Sequence, residues 1–254
     1  MADWVWGETP AGFTRIGASG RRLVVARADM QGLFVEFDFF AATGAPSTTS
    51  RFEGRGSLRA QTLADGTAVV VRPYHRGGMV RHVTKDIFSS WPPRPFTELA
   101  ATEQARRRGV LTVEPLAACV ERIWGPFYRG WLVTRELTGA KDLWAALHEQ
   151  SYTTPDKKAL LRAVAASVRR MHRAGICHGD LNLKNILVRR EGDEIRAYII
   201  DFDKAELFSG AVPRRKSKRN LARLGRSARK LDPARRWLSA EELDWLDRLC
   251  SAGE

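Results

Sequence analysis

The chain has 254 residues, 44% of them hydrophobic, which suits one two-lobed domain or two closely packed ones and excludes disorder throughout. Its net charge of +13 favours polyanionic partners such as anionic lipid, nucleic acid or a phosphorylated substrate. Residues 1–10 lack a basic region followed by an apolar run, and no stretch approaches the roughly 18–20 apolar residues of a membrane span, so we expect a cytoplasmic protein with reduced cysteines.

The first half of the chain is predicted to be mostly sheet with one helix. Runs rich in Val, Leu and Phe, separated by turn residues such as Asp65-Gly66, indicate strands. The helix is predicted over 95–108 and ends at Gly109. The predicted strands span residues 22–27, 33–40, 52–60, 67–72, 111–118 and 130–137.

The second half is predicted to be mainly helical. Apolar residues recur at helical spacing over 156–173, and Pro155 stands near the start of this helix. The change from strands to helices near Gly139 predicts an N-lobe over residues 1–138 and a C-lobe over 139–254. Between Arg214 and Arg236 there are eleven Lys or Arg and one acid, with apolar residues every three or four positions, which predicts a basic helix.

The motif that carries chemistry is HGDLNLKN at 178–185, followed by a short strand, a polar turn and a second strand that ends in Asp201-Phe202-Asp203. Phosphoryl transfer needs one carboxylate to receive or orient the acceptor hydroxyl, and an amide oxygen and a second carboxylate to hold a metal. Asp180 and Asn185 have the five-residue spacing of that arrangement, and Asp201 ends an apolar strand. For His178 we predict scaffolding by hydrogen bonds rather than proton transfer.

Candidate nucleotide-binding residues lie in the predicted N-lobe. The turn Gly54-Arg55-Gly56-Ser57 would let backbone amides approach phosphates. Arg72 ends a strand of the kind that presents a phosphate-binding lysine in kinases, although arginine is not equivalent to lysine. Glu98 on the following helix is the predicted carboxylate partner of Arg72, and Glu103 is the second choice.

Four segments resemble the lipopolysaccharide core kinases, and most closely the 3-deoxy-D-manno-octulosonic acid (Kdo) kinases of Gram-negative bacteria. The RPYHRGG run is the most telling, because generic kinases do not share it. The resemblance covers roughly residues 50 to 240 and includes the basic tail from Asn220. The four segments are GRGS from Gly54, VVVRPYHRGGMVRH from Val69, CHGDLNLKNILV from Cys177 and IIDFDKAEL from Ile199.

The resemblance implies an α+β, two-lobed protein-kinase-like fold. It also implies an enzyme that uses ATP and Mg²⁺ to phosphorylate a Kdo sugar on a lipid A precursor, at the cytoplasmic face of the inner membrane. By motif position Asp180 would be the catalytic base, Asn185 and Asp201 the metal ligands, and Arg72 the phosphate-binding cation. Two features depart from expectation: Gly179 replaces the alanine of many relatives, a minor change, and the full GxGxxG loop of protein kinases is missing.

Other functions stay open at this point. A core heptose kinase, a protein kinase, an aminoglycoside phosphotransferase and the tRNA-modification-complex kinase share parts of the pattern. Only about fifty residues follow Asp203, which leaves little room for a peptide-docking lobe. The excess of positive charge disfavours cationic drugs as substrates. A non-catalytic, membrane-binding kinase fold would not need all three of Asp180, Asn185 and Asp201. We expect an anionic membrane surface as a partner, and no nucleic acid.

Overall fold

The computed structural model describes residues 9–16, 21–39, 58–74, 87–149, 152 and 154–252. Packing divides the chain into two units. The first contains the described residues up to Glu103 together with 114–136, and the second contains 104–113 and everything from Leu137 onward.

The first unit is built on a six-stranded antiparallel sheet with strand order β1-β2-β5-β6-β4-β3. Its helices are the short α1 (Gln31–Phe34) and the longer α2 (Arg94–Arg107), the last residues of which belong to the second unit. Gly109 ends α2 with a left-handed backbone (φ 80°), as predicted. The strands are β1 (Phe13–Ile16), β2 (Arg22–Arg27), β3 (Arg59–Thr62), β4 (Ala68–Pro73), β5 (Pro115–Trp124) and β6 (Phe127–Arg135).

The strand predicted over 33–40 is wrong. Its first two residues belong to α1, and the rest of its described part forms no strand. Phe34, Phe37 and Phe39 instead form an aromatic cluster, in which Phe37 lies 5.4 and 4.8 Å from the other two ring centroids. This cluster packs against one face of the sheet. The apolar run therefore gains its burial through local ring packing rather than through strand pairing.

Strand β5 is the centre of the first unit, because its first six residues are buried on both faces of the sheet. Ala117 and Cys119 face the aromatic cluster, whereas Ala118 and Val120 face the side on which Leu99 of α2 packs. Burial raises the pKa of the Cys119 thiol to about 12, so this thiol is an inert part of the core. All three cysteines are buried and free of disulfides.

The second unit is organised around α4 (Thr154–Arg173), the apolar positions of which are buried as the periodicity predicted. It packs on β10 and on α6, which begins at Ser239 with a capping box closed by Glu242. Its sheets have the orders β10-β9-β7 and β11-β8. The remaining elements are β7 (Lys141–Asp142), α3 (Leu143–His148), β8 (Ile176–Cys177), β9 (Ile186–Glu191), β10 (Glu194–Ile199), β11 (Glu206–Leu207), α5 (Arg214–Leu231) and α6 (Ala240–Ser251).

The predicted basic tail helix is α5. Leu221, Leu224 and Ala228 on its apolar stripe are buried, which confirms the predicted periodicity. Within the ranges given above, no helix is both long and apolar enough to cross a membrane.

Candidate active site

The catalytic loop begins where α4 ends, and its first contacts are made by backbone. Gly175 turns the chain with a left-handed backbone (φ 74°), and β8 then pairs with β11. A Cβ on residue 175 would lie 2.3 Å from the carbonyl oxygen of Gly210, so only glycine lets these two segments approach. The segment that leads into the loop is therefore packed tightly against the backbone near Gly210.

His178 links the catalytic loop to the segment that precedes Asp201. The ring is fully buried, its Nε2 lies 2.9 Å from the carbonyl oxygen of Ile200, and its Nδ1 accepts the backbone N–H of Asp180 at 3.0 Å. Since Nδ1 accepts, Nε2 carries the proton and donates it to Ile200. Burial lowers the pKa of His178, so the ring stays neutral at neutral pH. These bonds are the scaffolding that the sequence predicted for this histidine.

Two asparagines fix the backbone around Asp180. The Asn185 amide donates to the carbonyl oxygen of Asp180 at 2.7 Å, and the Asn182 amide donates to the same oxygen at 3.0 Å. Asn182 also accepts the backbone N–H groups of Lys184 and Asn185, which closes a 3₁₀ turn at Leu183–Asn185. Asp180 is exposed, so a phosphoryl acceptor can reach its carboxylate from solvent. The hydrogen bonds described above hold the backbone of this residue in place.

Asp201 adopts a left-handed backbone (φ 72°), which is uncommon for a residue other than glycine. Such strain persists only where the surrounding structure imposes it, and it concentrates at functional sites. Two neighbours hold Asp201: the backbone N–H of Ile200 donates to the carbonyl oxygen of Asn185 at 3.0 Å, and the buried Phe202 packs on the His178 ring with centroids 5.3 Å apart. One hydrogen bond thus joins the Asn185 segment directly to the Asp201 segment.

Gly179 is a tighter constraint than the sequence suggested. A Cβ at this position would lie 2.1 Å from the carbonyl oxygen of Lys204 and 2.3 Å from the Lys204 Cβ. Replacement by the alanine of related kinases would therefore require the segment after Asp203 to move. The expectation that this departure is minor is wrong for this chain.

The donor atoms of the site suit a hard cation. Asn185 offers an amide oxygen and Asp201 a carboxylate, and oxygen ligands are those that Mg²⁺ prefers. In the part of the chain that the structure describes, no group of three or more His, Cys, Asp or Glu side chains forms a ready-made metal cage.

Asn220 of α5 is a functional candidate that the sequence reading missed. Its side chain is buried, accepts the backbone N–H of His178 at 2.9 Å and donates to the His178 carbonyl oxygen at 2.6 Å. The same Oδ1 lies 3.3 Å from Nε2 of His172 on α4. The available signal was its place on the apolar stripe of α5, four residues before Leu224, where a polar side chain needs a buried partner.

The first unit brings Arg72 and Glu98 together as predicted. The Arg72 guanidinium forms an ion pair with the buried Glu98 carboxylate and lies over the Tyr74 ring, 5.1 Å from its centroid. The Tyr74 hydroxyl also hydrogen-bonds to Glu98. Glu103, the second choice, forms an ion pair with Arg27 at 3.6 Å. The predicted phosphate turn of Gly54, Gly56 and Ser57 lies outside the described residues.

A backbone-locked Asp180, an asparagine five residues later and a strand leading into Asp201 define a phosphotransferase of the protein-kinase-like class. The sequence model of the lipopolysaccharide kinase (Kdo/WaaP) family matches residues 47–247, and the chain belongs to this family. It is therefore a kinase of lipopolysaccharide biosynthesis, and kinase activity implies ATP as the phosphoryl donor.

Individual relatives agree with this assignment. The chain is 33% identical over 183 residues to the 3-deoxy-D-manno-octulosonic acid kinase of Pasteurella multocida, covering 71% of this chain and 73% of the relative. It is 31% identical over 224 residues to the enzyme of that name from Actinobacillus succinogenes, covering 86% and 89%. A solved structure titled "WaaP in complex with acyl carrier protein" matches with a TM-score of 0.57 and 23% identity, covering 89% of this chain and 88% of that one. This likeness supports the fold.

We predict that Asn220→Ala lowers kcat at least tenfold while the KM for ATP changes less than twofold. The substitution removes both hydrogen bonds to the His178 backbone and leaves buried groups unpaired, at roughly 1–3 kcal/mol each. Steady-state kinetics at a temperature where the variant is fully folded, checked by circular dichroism, measures the effect. The control is Leu224→Ala on the same buried stripe, which creates a cavity but removes no hydrogen bond to the loop. An equal loss of kcat in both variants would mean that Asn220 only stabilises the fold.

Proposed function

We propose that this kinase transfers the γ-phosphoryl group of ATP to a hydroxyl of a Kdo sugar on a lipid A precursor. The observation that carries the proposal is the combination of an intact catalytic loop with relatives that are named Kdo kinases. Their similarity extends over most of the chain. A heptose of the lipopolysaccharide core is the alternative acceptor.

The chemistry would centre on Asp180. Its carboxylate would accept or orient the proton of the attacking hydroxyl, while the bonds from His178 and Asn185 hold its backbone in place. Asn185 and Asp201 would hold Mg²⁺, which neutralises charge on the phosphates when bound. Rigid positioning matters here because phosphoryl transfer depends on orientation and electrostatics more than on covalent chemistry.

Arg72 would take the place of the lysine that contacts phosphate in other kinases. Glu98 and Tyr74 fix one edge of the guanidinium. A guanidinium carries five N–H donors in a planar fork, so it can hold Glu98 and still present donors to a phosphate. Arginine is therefore a workable replacement at this position.

We also propose that the enzyme works as a peripheral protein on the cytoplasmic face of the inner membrane and binds anionic lipid through α5. Arg214, Arg215, Lys218 and Arg219 are exposed, and α5 contains no acidic residue. Three basic residues stand in its first turn, where the helix dipole disfavours positive charge. An anionic surface would relieve that repulsion. Lys216 is less available, because it pairs with Glu206.

The acceptor is tested by incubating purified Kdo-lipid A precursor with enzyme, ATP and Mg²⁺, followed by mass spectrometry. We expect one added phosphoryl group, and a loss of roughly 10²- to 10⁴-fold in rate for Asp180→Asn. Asp193→Asn, on the exposed turn between β9 and β10, is the matched control and should keep full activity. Phosphorylation only of a heptose-containing acceptor would replace the proposed substrate. Undiminished turnover by Asp180→Asn would remove that residue from the mechanism.

For Arg72 we predict that the alanine variant raises the KM for ATP roughly 10- to 100-fold, the equivalent of one charge-assisted hydrogen bond. Arg72→Lys should restore only part of this loss, since an ammonium group cannot hold Glu98 and phosphate through one planar fork. Steady-state kinetics with varied ATP gives the measurement, and the exposed Arg129→Ala serves as control. If both Arg72 variants match the wild type, another cation contacts the phosphates.

For α5 we predict salt-sensitive binding to vesicles that contain phosphatidylglycerol and weak binding to neutral vesicles. Each Lys or Arg near an anionic surface contributes roughly 1 kcal/mol, and this attraction falls off within a Debye length. Arg214→Glu/Arg215→Glu should weaken co-sedimentation more than the matched double reversal Lys158→Glu/Arg129→Glu. Equal weakening by both pairs, or binding that ignores salt, would show that α5 is not the contact surface.

A further inference from the structure

A cleft of about 450 Å³ in the second unit is lined almost entirely by arginine. Three of its arginines lie on the last turns of α4, and the fourth, Arg108, comes from the segment that follows α2. No acidic residue lines it. The lining residues are Arg108, Ala166, Arg169, Arg170, Arg173 and Ala174.

Among the residues that the structure describes, no carboxylate pairs with the positive charge in this cleft. None of the four arginines forms an ion pair with any residue in the described parts of the chain. Some other cations of the second unit are paired: Lys157 at the start of α4 binds Glu242, and Arg190 binds Asp156. Basic residues at the C-terminal end of a helix interact favourably with the helix dipole, which explains the positions of Arg170 and Arg173 at the end of α4. Arg108 directly follows the last residue of α2, so the dipole of that helix favours it in the same way. What the dipoles do not explain is why both helix ends bring their cations to one cleft.

Backbone carbonyls hold three of the four guanidinium groups. Arg108 Nη1 donates to the carbonyl oxygens of Ala174 at 2.9 Å and Phe208 at 2.7 Å. Arg169 Nη1 donates to Leu249 at 2.6 Å, and Arg170 Nη1 makes a longer contact of 3.4 Å with Gly109. Each of these bonds uses one nitrogen of a group with five N–H donors, so further donors stay available to a ligand.

Arg173 is exposed and forms no side-chain hydrogen bond with the described residues. Four positively charged side chains that line one cleft repel each other, and an anion bound there would reduce that repulsion. Arginine binds phosphate oxygens bidentately, and fixed guanidinium groups lose little side-chain entropy on binding. The cleft therefore has the charge and the donor geometry of a phosphate site.

We propose that this cleft, which we call the arginine cleft, binds a phosphomonoester or inorganic phosphate dianion, at a site whose lining includes none of Asp180, Asn185 and Asp201. Its volume exceeds that of a single phosphate, so the phosphate can be part of a headgroup or bind as the free ion with water. The two sources share one chemistry, a terminal phosphate that can carry two negative charges. The proposal does not depend on which sugar the kinase phosphorylates.

Occupation of the arginine cleft would act on the backbone that leads to the catalytic loop. Arg108 binds the carbonyl oxygen of Ala174, the residue before Gly175, and a Cβ on Gly175 would lie 3.1 Å from Arg108 Nη1. His178, the first residue of the catalytic motif, is three residues after Gly175. A ligand held by Arg108 would therefore stabilise the segment that leads into the loop, and thermal unfolding should report that stabilisation.

The first experiment is calorimetric titration of the full chain with inorganic phosphate at constant ionic strength, with a non-hydrolysable ATP analogue occupying the nucleotide site. We expect saturable binding at one site, stronger at pH 8 than at pH 5.5 because phosphate then carries two charges. Arg170→Gln/Arg173→Gln should weaken it at least tenfold. The control Lys158→Gln/Arg129→Gln removes two equally exposed charges and should bind like the wild type. No saturable binding, or equal weakening in both pairs, would overturn the proposal.

A second experiment separates the two sources of phosphate. Vesicles of phosphatidylcholine with phosphatidic acid are compared with vesicles of equal charge that contain phosphatidylglycerol, which has no terminal phosphate. The background is Arg214→Glu/Arg215→Glu, which reduces the contribution proposed for α5. If the protein prefers phosphatidic acid and Arg170→Gln/Arg173→Gln abolishes this preference, the ligand of the cleft is a lipid headgroup. If phosphate binds in the calorimeter but the vesicles show no such preference, the ligand is the free ion. Neither experiment uses the acceptor, so each result stands whether or not Kdo is the substrate.

Discussion

The active site depends on one buried, neutral imidazole. His178 uses both ring nitrogens for the backbone, one toward Asp180 and one toward Ile200, and therefore sets the separation between the catalytic loop and the Asp201 segment. Burial keeps the ring uncharged, which preserves its single acceptor nitrogen. Asn220 holds the backbone of the same residue from α5. The backbone and the side chain of one residue, His178, thus connect α5, the catalytic loop and the Asp201 segment.

Sequence reasoning succeeded where the determining contacts are local. The spacing within HGDLNLKN predicted that Asp180 and Asn185 act together, and one hydrogen bond now joins these residues. Helical periodicity likewise predicted α4 and the buried stripe of α5. It failed where tertiary packing decides. The run at 33–40 has the composition of a strand, but Phe34, Phe37 and Phe39 in its described part form a cluster. The role of Asn220 depends on a contact 42 residues away in sequence.

The cations behind the net charge of +13 lie in three different environments. Arg72 is neutralised by a buried carboxylate, and the exposed cations of α5 face solvent. In the arginine cleft, carbonyl oxygens hold three of the four guanidinium groups, and these oxygens satisfy N–H donors without cancelling the positive charge. The last two groups leave net positive charge available to a ligand, whereas Arg72 would offer a phosphate its remaining N–H donors. Composition alone could not distinguish these three groups, because the partners lie far away in the sequence.

The guanidinium at residue 72 also affects how this enzyme can be detected chemically. Nucleotide analogues that carry an amine-reactive electrophile label kinases by acylating the lysine beside the phosphates. At position 72 such a reagent would meet a group that stays protonated and paired with Glu98, and that has no nucleophilic amine to offer. Profiling of a proteome with lysine-directed probes would therefore pass over this position, and reagents selective for guanidinium groups are the appropriate choice.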